Sequence, residues 1–436
     1  MARNGKNTLI YMLPAAILLQ FYLLCPESSL LRPSLPISRE RERERNNLRS
    51  NGIDDEVDDE GGKLIYGVDR VQGMVDEMFR LHSVGADDGL GSHASIEKLT
   101  FEFPSVMERV KYYMGSWYNN VHQINVTLMC SKLPLFNHKY HLLKAGDAYI
   151  FNRSNIDDYP ARNYIADVKK NILSHAMNAT SFLAAAKLGD RQKGVEWPIF
   201  IKTRQIHPDF SGVRENTSSI LALLNEGRHF SARNFEVARE DNIEWEQKND
   251  SLVWRGGTSG TFARLDIVEK YFNATDDGID VAFSSIGKTG LTQLGLESVT
   301  KRYLRGKLRV EELLKHKYLL SIEGNDVASG LKWMLYSKSV VFMTPPKVES
   351  WAMEALLVPY YHYIPLAPDH SDIRQKVEWA RRNDDLCHRI SKQATRYMED
   401  LYVSPRARNE TELIHKTIVR RYESLYEGAL SKCRKS

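Results

Sequence analysis

The chain has 436 residues, of which 42% are hydrophobic and 27% charged, the balance of a globular protein with room for one large domain or two ordinary ones. Its 60 Lys and Arg exceed its 56 Asp and Glu by only four, which argues against a nucleic-acid partner, since such proteins carry a dense basic face. Four cysteines with no CxxC pair, and histidines with no HExxH spacing, leave a metal site without support.

In chain order, the first feature is TLIYMLPAAILLQFYLLC, residues 8–25, an uncharged apolar run of 18 behind Arg3 and Lys6. An apolar run of about 17–25 residues spans a bilayer, whereas the apolar core of a cleaved signal peptide is about 7–15. Residues 1–25 therefore read as a cytosolic tip and a signal-anchor transmembrane helix, with everything after them lumenal. Sequons at Asn125, Asn152, Asn178, Asn216, Asn249, Asn273 and Asn409 agree with a secretory location but mark no chemistry. The LSKCRKS ending carries no KDEL-type signal, which favours the Golgi membrane over the endoplasmic reticulum.

Residues 26–62, with Pro33, Pro36, RERERERNN and IDDEVDDEGG, have the charge blocks of a disordered stem. Globular sequence follows. VDRVQGMVDEMFRLHSV and SIEKLTFEFPSVMERVKYYMGSWYNNV have helical spacing, and WPIFIKTR (197–204) reads as one buried strand. SLVWRGGTSG is a strand and a glycine turn, TFARLDIVEKYF a helix, HKYLLSIEG a strand and ASGLKWMLYSK a helix. SVVFMTP and HYIPLAPD are strands, and the tail from SDIRQKVEWARRN to ETELIHKTIVRRYESLYEGAL is helical. Strands alternating with helices predict an α/β fold with an open parallel sheet, whose ligands bind beyond the carboxyl ends of the strands.

Two turns occupy that position. In VWRGGTSG, Arg255, Gly256, Thr258, Ser259 and, further on, Arg264 offer close backbone approach, hydroxyls and positive charge to an anion. In SIEGNDVASGLKW, Gly324, Val327, Ala328 and Ser329 form a second small-residue turn before a helix bearing Lys332. Gly287-Lys288-Thr289 looks like the end of a phosphate loop, but the position of its first glycine is Ala282 and no convincing strand precedes it.

The order WRGGTSG…R, KYLLSIEGNDVASGLKWMLYSKSVVFMTPP, ESWAMEALLVPYYHYIPL and SDIRQKVEWARRNDD resembles glycosyltransferase family 90 over residues 195–400. That resemblance implies a GT-B-like pair of Rossmann-like halves with C-terminal helices packing back. The acceptor side would be 63–205, the nucleotide-sugar side 206–366 and the tail 367–436. It implies inverting, metal-independent transfer of glucose or xylose from a UDP-sugar, with no permanently bound cofactor, to a hydroxyl of a protein or glycan. Arg255, Thr258, Ser259 and Arg264 match the family's first turn, Gly324 and Lys332 its second, and Glu349 an acidic residue after the SVVF strand. For the base, Asp190 has the better spacing, eight residues before Pro198, and Asp158 the better letters, in DYP. Gly330 stands where the protein O-glucosyltransferases carry arginine. A membrane-tethered carbohydrate-binding or scaffolding protein that lost activity on the same fold is the alternative.

Overall fold

A computed structural model describes residues 100–118, 142–145, 148–152, 162–177, 182–190, 198–206, 219–258, 262–287 and 295–433, with single positions at 127 and 292. The expected anchor and stem, the helix expected from Val68, and the candidates Asp158 and Ser259 lie outside the described residues. No described helix is long and apolar enough to cross a membrane.

Helix α1 (Val106–Met114) opens with a capping box: Ser105 accepts the Glu108 N–H at 3.4 Å, and Glu108 accepts that of Ser105 at 2.7 Å. The spacing predicts a start at Ser95, eleven residues earlier. Pro104 prevents it, because the residue before a proline is pushed out of the helical region.

The first sheet uses β1 (Leu142–Ala145), β2 (Ala148–Asn152), β3 (Leu183–Lys187), β4 (Ile199–Ile201) and β6 (Ser219–Leu221) in spatial order, with α2 (Arg162–Asn171) between β2 and β3. It is antiparallel from β1 to β3 and parallel from β3 through β4 to β6. WPIFIKTR is not one strand. It breaks at Lys202, and β5 (Thr203–Gln205) leaves the sheet to pair antiparallel with β11 (Val348–Ser350).

Helices α3 (Glu226–His229) and α4 (Ala232–Arg239) lead to the second sheet, in spatial order β12-β10-β9-β7-β8 and parallel throughout. Its strands are β7 (Asn249–Gly257), β8 (Ile279–Ser285), β9 (His316–Leu320), β10 (Val340–Met343) and β12 (Ile364–Pro365). Between them run α5 (Phe262–Tyr271), α6 (Glu297–Lys301), α7 (Val310–Leu313) and α8 (Leu331–Tyr336). A strand does therefore lead into Gly287, against expectation; Ala282 is buried inside β8, where a phosphate loop would need its first glycine.

The tail forms α9 (Ile373–Arg382), α10 (Asp384–Met398) and α11 (Pro405–Cys433). It returns to the first sheet: the Tyr422 hydroxyl donates to the Pro198 carbonyl at 3.0 Å and accepts the Ala185 N–H at 2.9 Å. The protein is thus a mixed α/β fold with Rossmann-like parallel sheets.

Candidate functional site

Strand β7 continues to Gly257, so Arg255 and Gly256 lie within it rather than in a turn. Trp254 and Gly256 share a face, because strand side chains alternate. A Cβ on Gly256 would lie 2.3 Å from the Trp254 ring, which explains the glycine. Arg255 points the other way. Its guanidinium binds Asp280 of β8 at 2.7 Å and the carbonyls of Trp254 and Asp280 at 2.9 and 3.0 Å, so it is engaged within the sheet. Thr258 is buried, and its hydroxyl accepts the Gly287 N–H at 2.8 Å.

Arg264 ties the two glycine turns together. It donates to the Gly257 carbonyl at 3.0 Å and to those of Ile322 and Glu323 at 3.1 and 3.2 Å. A Cβ on Gly324 would lie 3.0 Å from this guanidinium, so glycine lets it close on the backbone. Burial, and then nearby Arg228, bring Arg264 down to about 10.

In the second turn Val327 and Ala328 are buried and Ser329 half-buried. Lys332 is fully buried and donates to Glu354 at 2.6 Å; Glu354 also accepts the N–H and hydroxyl of Ser350. Glu349 is fully buried too. It accepts Arg204 Nε at 2.7 Å and the Tyr112 hydroxyl, while Arg204 also donates to the carbonyls of Tyr112 and Tyr113. Arg204 and Glu349 are cross-strand neighbours in the β5–β11 pair. Both expected donor contacts, Lys332 and Glu349, therefore have protein partners.

Asp190 lies three residues past β3, and the structure carries it to the second turn. Lys202 bridges two carboxylates, Asp190 Oδ1 and Asp326 Oδ2, each at 2.6 Å. Asn325 approaches Asp190 Oδ2 at 3.5 Å. Lys202 and Asp326 are buried, but the Asp190 side chain stays 29% exposed and so reachable. Burial alone would raise the Asp190 pKa; the ion pair with Lys202, helped by Asn325 and Arg228, outweighs it and holds the carboxyl below its ordinary value. For Asp326 burial wins over the same ammonium, and its pKa is raised.

His229 completes the cluster. It is 4% exposed and neither ring nitrogen has a partner. Burial, then the charges of Lys332, Lys202 and Arg228, push it down to about 2, so the ring is neutral. It ends α3, whose start is fixed by Asp167 accepting the Glu226 N–H at 2.8 Å. Sequence reasoning had named Asp190 but not Lys202, Asn325 or Asp326. Their signals were a lysine inside an apolar run and the polar pair in GND.

Asp190 and the two turns that follow β7 and β9 thus gather at the carboxyl ends of parallel strands, where the ligands of open α/β sheets bind. No group of His, Cys, Asp or Glu that could hold a metal occurs among the described residues. Residues 220–404 match the model of glycosyl transferase family 90. O-glucosyltransferase LpsA of Dichelobacter nodosus is 30% identical over 244 residues, covering 56% of this chain and 67% of that protein. The chain belongs to glycosyltransferase family 90. Protein O-glucosyltransferase 3 of Rattus norvegicus is 31% identical over 96 residues, 22% of this chain and 18% of that one. Protein O-glucosyltransferase 2 of Danio rerio is 29% identical over 150 residues, 34% and 28%. The chain thus spans two thirds of the bacterial relative but less than a third of the two animal proteins.

Proposed function

We propose that the chain moves glucose or xylose from a UDP-sugar to a hydroxyl of a protein or glycan, with inversion and without a metal ion. The observation that carries this reading is the meeting of Asp190 with Lys202 and Arg228 beside the unpartnered His229, which Lys332 also faces. The acceptor O–H proton passes to Asp190 Oδ2 as the hydroxyl oxygen bonds to the anomeric carbon. The bond from that carbon to the diphosphate oxygen breaks, and its electron pair leaves with UDP. Fixed cations and the N–H groups of the two turns stabilise that departing charge. Lys202 sets the strength of the base: with its ammonium shifted toward Asp326, Asp190 holds a proton more tightly.

In this reading residues 63–205 serve the acceptor, 206–366 the donor and 367–436 brace both. Residues 1–25 anchor a lumenal enzyme to the Golgi or endoplasmic-reticulum membrane through the stem 26–62. The supports are the apolar run with its flanking charges and the sequons, of which Asn249, Asn273 and Asn409 are exposed.

The test is a UDP-release screen of the full-length protein against UDP-sugars and hydroxyl acceptors without added metal, with UDP affinity titrated in parallel. Asp190→Asn should keep UDP affinity and slow transfer by about 10²- to 10⁴-fold. Full activity in that variant removes Asp190 from the role of base. Affinity for glycans with none for UDP replaces the enzyme by the carbohydrate-binding alternative.

A further inference from the structure

Asp326 takes no part in the transfer as written, yet it is the deeper of the two carboxylates on Lys202. Its side chain is 7% exposed against 29% for Asp190, and each lies 2.6 Å from the Lys202 ammonium, which is 3% exposed. Three segments fix the arrangement. Lys202 follows β4, and Thr203 beside it donates to Asp326 Oδ2 at 3.4 Å. Asp326 lies in the turn after β9, which its own carbonyl closes by accepting the Gly324 N–H at 3.0 Å. Asp190 lies beyond β3, the strand paired with β4. One ammonium is thus held by Asp190 from the first sheet and by Asp326 from the second.

A buried ammonium with a single counter-ion is a poor neighbour for a base. A proton on Asp190 would cancel its charge and leave the ammonium unpaired, almost out of reach of solvent. The base would then resist the proton it has to accept. Asp326 changes that balance. Two ionised carboxylates and one ammonium leave one negative charge in excess; a proton on Asp190 brings the group to neutrality, with Asp326 and Lys202 still a complete pair. Burial alone would lower the Lys202 pKa, but Asp326 and then Asp190 outweigh it and raise it, so the ammonium keeps its own proton. The other groups nearby do not substitute for Asp326. Arg228 faces Asp190 but is a cation, and Lys332 is held by Glu354 at 2.6 Å. His229 is neutral, and Tyr164 faces Lys202 with a hydroxyl rather than a carboxylate.

We propose that Asp326 is a positioning residue for the transfer: it holds Lys202 as its own counter-ion, so that Asp190 can take the acceptor's proton without leaving a buried ammonium unpaired. This rests on Asp190 as the base. When the acceptor O–H proton moves to Asp190 Oδ2, the hydroxyl oxygen keeps the electron pair of that bond and attaches to the anomeric carbon. Lys202 stays on Asp326 meanwhile. Asp190, the exposed member of the three, then returns the proton to solvent. Asp326 thereby keeps Asp190 a stronger base than an exclusive ion pair with Lys202 would leave it.

Two measurements on the full-length protein test this. Asp190→Asn makes the neutral state of the base permanent. At neutral pH it should leave the urea midpoint nearly unchanged, because Asp326 still pairs the ammonium, and Asp326→Asn should do the same through Asp190. The double variant leaves Lys202 unpaired and should lose far more than the two single losses added together. The second measurement is UDP release from UDP-glucose or UDP-xylose, with water as the acceptor. Asp326→Asn should lower kcat about tenfold with little change in KM, and adding Lys202→Met should restore most of that loss, since no ammonium then remains to be paired. A merely structural Asp326 would gain nothing from the second substitution. Single variants as unstable as the double, losses that simply add, an unchanged kcat in Asp326→Asn, or a lowered one that Lys202→Met does not restore would each overturn the proposal. Full activity of Asp190→Asn would be a different result: it overturns the base itself, and this role with it.

Discussion

Replacing Asp167 by asparagine should make the protein more stable at neutral pH and barely change it in acid. Asp167 is 7% exposed and receives the Glu226 N–H at the start of α3. Burial, only partly offset by the Glu226 and Asn225 amides, raises its pKa from 3.8 to about 6. A carboxyl raised on folding favours the folded state while protonated, and that contribution disappears as pH climbs through the folded pKa. At about 1.4 kcal/mol per pKa unit, ionising Asp167 at neutral pH costs the fold about 3 kcal/mol. Asparagine stays neutral, and its Oδ1 still accepts the amide. About half of that cost develops between about pH 5 and about pH 7.5, so the stability gap between the two proteins should widen by about 1.5 kcal/mol over that interval. Urea denaturation of both proteins at the two pH values measures it. A gap that is constant or narrows toward neutral pH would show that Asp167 is not raised, and that the α3 cap is a well-solvated or fully paired carboxylate.

The remaining predictions concern the cleft. His229→Phe, which keeps the ring volume, should weaken UDP about tenfold with little change in the urea midpoint, since the ring has no hydrogen bond to lose; unchanged affinity would leave His229 as packing only. Arg255→Ala should destabilise by about 1–3 kcal/mol through the loss of its Asp280 and carbonyl contacts, with UDP affinity held within about twofold. Collapse of UDP binding at normal stability would return Arg255 to the donor contact expected from the sequence. Lys202→Met removes the cation that outweighs burial at Asp190, so the acid limb of the pH–rate profile should move to higher pH. A limb that stays in place would mean another group sets it.

The sequence was informative where chemistry follows chain order. The strand, glycine turn and helix at residues 316–336 lie as expected, because apolar runs and small residues specify them locally. It was silent where a partner is far away. Nothing in IKTR announces that Arg204 will face Glu349, 145 positions on, or that Lys202 will stand between Asp190 and Asp326. Arg255 shows the same limit: the sequence places it in a turn, whereas the strand runs on to Gly257 and the guanidinium pairs with Asp280 of the neighbouring strand. Charged residues near a glycine turn are ambiguous between ligand and lattice until the register is known.

That distant pairing decides how the cleft can move. Three successive residues of the segment leaving β4 hold the second half of the protein: Lys202 binds Asp326, Thr203 approaches Asp326 at 3.4 Å, and Arg204 binds Glu349. Lys332 and Glu354 brace the far side of β11 through Ser350. Removing one partner of a fully buried ion pair costs about 3–5 kcal/mol, and pulling the β5–β11 pair apart would break the buried Arg204–Glu349 pair that spans it. Domain closure in two-lobed enzymes uses hinges that cost little. A hinge motion that spares these contacts pivots about β5–β11 rather than separating it, and such a pivot keeps Asp190 beside the turn after β9, as its proposed role of base requires.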